Sequence, residues 1–155
     1  MNTYYELIKH LKTIYEQDID VNTVVTGDAN DVDNYKKNIF PLVHLHIIDS
    51  PFISEATTAL TRYNVEVTCV DIRDINKEAV NDKFWMNDNR HDNLNLTRAI
   101  LKKAENKFIK NILNTDITLI TSTSAIPLMF AKQNTLDGWQ QTLTMDVPDL
   151  LTTVC

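Results

Sequence analysis

Two histidines, His44 and His46, stand two residues apart in an apolar run. In a strand that spacing turns both imidazoles to one face, where they could ligate zinc or a similar ion. No third ligand follows at a motif distance, and Asp49 has the opposite parity from His46, so the pair is expected to cover a half-exposed face or a subunit contact. The acidic run from Asp28 to Asn34, DANDVDN, has the oxygen ligands of a calcium loop. Counted from Asp28, however, the sixth residue is Asp33 rather than glycine, and the twelfth is Ile39 rather than glutamate. It reads as a solvated turn. Asp71, Asp74, Asp82, Asp88 and Asp92 offer carboxylates for acid–base work. Arg73, Lys77, Lys83, Arg90 and His91 lie among them, which points to a mixed charged surface. The hydroxyl run TSTSA at 121–125 lacks the glycines of a nucleophile elbow. Gly27 and Gly138 are the chain's 2 glycines, and they stand too far apart for a P-loop or a dinucleotide fingerprint. No enzyme active site, metal site or cofactor site is expected.

Large apolar side chains in polar surroundings are more informative. Phe84, Trp85 and Met86 are consecutive in a polar, irregular connection. Three such neighbours do not all enter one small core, and exposed aromatics and methionine are enriched at protein contacts. Phe52 and Ile53 carry the same signature at the tip of a predicted hairpin. All five are candidate oligomer or partner contacts.

The elements that must position them follow from periodicity. The 155 residues suit one domain, 1–155, large enough to bury a core without disulfides. Tyr4, Leu7, Ile8, Leu11, Ile14 and Tyr15 make a helical stripe over 3–16, with Thr3 and Glu6 at capping-box spacing. Strands are expected at 21–26 and 39–49, the second with Pro41 near its start. Residues 57–73 alternate strongly, with Tyr63, Val65, Val67 and Cys69 on the core side. A strand this long either projects or is divided by a bulge, and paired with 39–49 it would form an elongated antiparallel hairpin. The main helix is expected over 92–113, with Leu94, Thr97, Leu101, Ala104, Phe108 and Ile112 as its stripe. Short strands follow at 117–121 and 128–131, with Pro127 as an interruption, and a last strand runs over 137–147. On its apolar side Trp139 is expected in the core, and Gly138 is expected to relieve crowding or permit a bulge. The order predicts an α+β fold: an antiparallel or mixed sheet with a long β-hairpin and helices packed on one face.

Composition narrows the partners. A net charge of −6 disfavours sequence-independent binding to nucleic acid. The N-terminus lacks the basic and apolar regions of a signal peptide, and no run is long enough to span a membrane. Cys69 and Cys155 form no disulfide framework. A reducing cytosol is expected, with Cys69 packed as a small hydrophobe.

The order of these segments resembles the small tail completion, or tail terminator, proteins of tailed bacteriophages, particularly a group from phages of Bacteroidetes-like hosts. The resemblance begins with the N-terminal amphipathic helix and VVTGDANDVDNYKKNIFPLVHLHI at 24–47. Gly27, Asp28, Lys36 or Lys37, Phe40, Pro41 and Leu42 stand at the family's turn and strand entry. YNVEVTCVDIRD at 63–74 is similar to its central strand. Asn93, Leu96, Ile100 and Leu101 follow its helix loosely. Asp137, Gly138, Trp139, Leu143, Pro148 and Cys155 match its closing strand, proline and cysteine. Residues 75–92 depart from the pattern. The resemblance implies a structural virion protein, assembled in the host cytoplasm. Such a protein forms a homo-oligomeric ring, hexameric in expectation, at the head-proximal end of the tail. The ring caps the tail tube and joins it to neck or connector proteins. DNA passes through without specific binding, and no membrane and no catalysis are involved. A head-closure or neck ring is the alternative within this class, and a non-viral protein-binding adaptor module lies outside it.

Overall fold

The computed structural model describes residues 3–27, 39–53, 59–74, 82–85, 88–131 and 135–149. The acidic run from Asp28, together with Met86 and Cys155, lies outside the described residues. The protein is α+β: among the described residues, two helices cover one face of a six-stranded mixed sheet. The elements are α1 (Thr3–Glu16), β1 (Thr23–Thr26), β2 (Leu42–Asp49), β3 (Leu60–Ile72), α2 (Arg90–Ile109), β4 (Thr118–Ser122), β5 (Ile126–Ala131) and β6 (Thr135–Pro148).

Alternation decides which side of each strand meets the helices. Val43 and Leu45 of β2, Val65, Val67 and Cys69 of β3, and Leu143, Met145 and Val147 of β6 share one face. They form the main core with Leu7, Leu11, Ile14 and Tyr15 of α1 and Ile100, Leu101, Ala104 and Phe108 of α2. Trp139 packs against this cluster, and its Nε1 donates to the Leu94 carbonyl at 2.8 Å. The opposite face holds a smaller cluster of Phe40, Leu42, Val70 and Leu136 at one end. Towards the other end it turns polar: Thr144 donates to Asn64 at 2.7 Å, and Arg62 grips Asp146 with two bonds of 2.7 and 2.9 Å.

The sheet order is β1-β2-β3-β6-β4, with β5 also on β6. β1 is parallel to β2, and all other pairs are antiparallel. β2 and β3 do pair antiparallel, but no long projecting hairpin is seen among the described residues. β1 flanks β2, and β6 runs along the whole of β3, unbroken from Leu60 opposite Pro148 to Ile72 opposite Leu136. The length of β3 is therefore used inside the sheet. β4 and β5 lie end to end along β6, each antiparallel to it. Pro127 is part of β5 rather than an interruption, because among the described residues β5 pairs only with β6, and an edge strand tolerates a missing amide proton.

Local expectations for both helices change. The Thr3 hydroxyl lies 2.6 Å from the Tyr63 hydroxyl, so it ties α1 to β3 across the sequence. The buried stripe of α1 is Leu7, His10, Leu11, Ile14 and Tyr15, while Tyr4 is exposed. α2 begins at Arg90 and ends at Ile109, and Ile112 is exposed beyond it. Asn111 and Asn114 have positive φ of 49° and 50°, where asparagine is among the tolerated residues. No helix among the described residues is long and apolar enough to cross a membrane.

Candidate functional site

The turn before α2 carries a small aromatic knob. Asp82 accepts the amides of Phe84 and Trp85 at 2.9 and 3.4 Å, closing the chain into a turn. The Phe84 and Trp85 rings meet edge to face at a centroid distance of 4.9 Å. The His91 ring stacks beside Phe84 at 6.3 Å and stands edge-on to Trp85 at 5.5 Å. The His91 Nε2 lies 3.0 Å from the Phe84 carbonyl oxygen. The three rings pack on one another and not on either core, so Phe84 stays 71% exposed and Trp85 61% exposed.

Asparagines fasten the base of the knob to the sheet. The Asn89 side chain accepts from the Asp74 amide at 2.6 Å and donates to the Ile72 carbonyl at 3.3 Å. Asn93, buried on the first turn of α2, donates to the same carbonyl at 2.9 Å. The start of α2 is thereby fixed at the end of β3. Next to it Arg73 forms a two-pronged pair with Asp137, Nε to Oδ2 at 2.9 Å and Nη2 to Oδ1. This pair raises the Arg73 pKa through its hydrogen bond. Burial raises the Asp71 carboxyl as well.

Phe52 follows β2 at the opposite end of the sheet. It is 92% exposed, and Ile53 is half-buried. The candidates Phe84 and Trp85 therefore lie together, while Phe52 and Ile53 lie far from them. A strand of the length of β3 spans roughly 40 Å.

A cavity of about 290 Å³ opens at the Phe52 end of α2, between α1 and the chain leaving α2. Leu113, Ile117, Val147 and Pro148 supply apolar walls, and Glu6, Lys9, Thr13 and Asp116 lie around them. His10 forms part of the lining. It is buried, its ring lies 5.6 Å from that of Phe108, and its Nδ1 is 3.4 Å from the Thr115 hydroxyl. Burial lowers its pKa. Sequence reasoning missed His10, although its spacing from Leu7, Leu11 and Ile14 places it within the buried stripe. It also left His91 on a mixed charged surface, since nothing local announces the stacking.

The residues considered for chemistry separate. His44 and His46 share a face, as the two-residue spacing demands. His44 is fully buried opposite Thr68, and the His46 Nδ1 lies 3.2 Å from the Gly27 carbonyl oxygen. Among the described residues, no three His, Cys, Asp or Glu side chains converge as metal ligands. Asp82 and Asp88 direct their carboxylates onto nearby backbone amides. Cys69 is buried in the core, with its thiol pKa pushed up by desolvation. No family model and no curated protein matches this chain.

Proposed function

We propose that this chain is a structural virion protein that assembles into a ring at the head-proximal end of a phage tail. In this reading it caps the tail tube, meets the neck or connector, and has no catalytic role. The observation that carries the assembly half is the aromatic knob. It exposes two large rings, yet five hydrogen bonds to the side chains of Asp82, Asn89 and Asn93 hold its turn and tether it to β3. A rigid aromatic anchor loses little conformational entropy on docking, which favours contact residues of this kind. Phe52 adds a further exposed aromatic at the far end of the sheet. Contact surfaces at opposite ends of a subunit suit head-to-tail association, which closes into a ring when the rotation permits. The tail assignment rests on the sequence resemblance. The net charge of −6 accords with DNA passing without adhesion.

Native mass measurement across a concentration series, followed by imaging of the particles, tests the reading. A closed ring, hexameric in expectation, that binds the end of purified tail tubes supports it. A monomer at every concentration, indifferent to tail tubes, removes it.

A further inference from the structure

We infer that the Phe84–Trp85 knob of one copy seats in the cavity walled by Leu113, Ile117, Val147 and Pro148 on the next copy. This contact deepens the ring reading above and rests on it. The two features lie at opposite ends of α2, a helix of 20 residues and so about 30 Å long. The knob is held to the last residue of β3, and the cavity follows the end of α2 and borders the last residues of β6. A knob cannot reach its own cavity across that length, so the contact joins different copies. The two surfaces differ, so the contact is head-to-tail and repeats around an axis.

Size and chemistry fit. A cavity of about 150 Å³ accepts benzene. One of about 290 Å³ accommodates an indole with part of the neighbouring phenyl ring. The apolar walls match the ring faces. Ile109 and Ile112, exposed at 65% and 54%, extend the apolar surface at that end of α2. The charges can pair as well. Lys83 and Arg90 are exposed on the knob, while Asp82 and Asp88 accept its own backbone amides. Glu6 and Asp116 stand at the cavity to receive the two cations, and Lys9 there can meet Asp92 of the knob helix. Docking would remove two exposed aromatic rings from water, the type of contact that dominates association energies.

The test combines two kinds of variant in a chain with Cys155 replaced by Ser. Trp85→Ala removes the anchor. Thr13→Trp fills the cavity from α1, at an exposed position whose side chain makes a local hydrogen bond to the Lys9 carbonyl. Each is expected to weaken association at least tenfold in native mass measurements. Separately, Trp85→Cys and Thr13→Cys proteins are prepared and mixed under mild oxidation. A disulfide-linked dimer that forms in the mixture, and in neither protein alone, is the expected result. Rings that survive both substitutions without cross-linking overturn this contact and leave the ring reading standing. A wild-type chain that stays monomeric and a mixture that does not cross-link overturn both.

Discussion

Gly138 faces Cys69 so closely that a β-carbon placed on it would lie 1.9 Å from the Cys69 carbonyl oxygen. The residue sits two pairs from the Ile72–Leu136 end of the ladder, opposite Val70 on β3 and Leu128 on β5, and the β3–β6 register runs through it without a bulge. Of the two roles expected for this glycine, relief of crowding is the one realised. Gly138→Ala forces backbone apart between β3 and β6, within the longest ladder. It is expected to cost at least about 3 kcal/mol, read as a fall in the urea midpoint.

Asp137, the residue before it, is buried against Arg73. Asp137→Ala leaves the guanidinium without its partner at the base of the knob. Losing a partner from a buried pair costs roughly 3–5 kcal/mol, and Arg73 keeps some access to water, so a loss of about 2 kcal/mol is expected. Chemical denaturation measures it, and Asp137→Asn is expected to recover part of the loss.

Trp85 and Trp139 are expected to have separable fluorescence. Trp139 is half-buried and hydrogen-bonded, while Trp85 is 61% exposed. Iodide is expected to quench Trp85 efficiently in dilute, dissociated protein and weakly once the protein assembles. Trp85→Ala is expected to change the unfolding free energy by less than about 0.5 kcal/mol, as for other surface sites. Equal quenching in both states would count against any contact through the knob.

His10 makes stability depend on pH in a definite direction. Burial lowers its folded-state pKa below the ordinary value, and Glu6, Lys9 and Asp116 line the same cavity. The unfolded chain takes up a proton at about 6.5, and the folded chain does so only at lower pH. Below about 6.5 the unfolded state therefore binds more protons, and stability falls as pH drops towards the folded pKa. Thermal scans between pH 7.5 and 5.5 are expected to show a declining Tm. His10→Gln, which cannot ionise, is expected to flatten that decline.

Cys69 should be inert in the native state. It is buried between the helices and the sheet, and desolvation raises its pKa. A thiol reagent applied to a Cys155→Ser chain is expected to label Cys69 only as fast as the protein unfolds. Rapid labelling under native conditions would contradict the buried placement.

Features that depend on neighbours a few residues apart were legible from local pattern alone. Spacings of three and four delimit α1, and alternation identifies Tyr63, Val65, Val67 and Cys69 as the core side of β3 and Trp139, Leu143, Met145 and Val147 as that of β6. The exposure of Phe84 and Trp85 was legible too, because an irregular polar segment cannot bury consecutive large rings. Features that depend on residues far apart emerged with the packed fold. The β3–β6 ladder, not a local hairpin, uses the length of β3, since pairing energy is gained wherever an antiparallel edge is available. Pro127 could be placed in a strand only once β5 was known to lie at an edge. His10 joined the core stripe because Phe108, on the other helix, supplied a ring to pack against. The knob and the cavity became possible counterparts only when α2 set them at opposite ends of one body, a distance that no local pattern records.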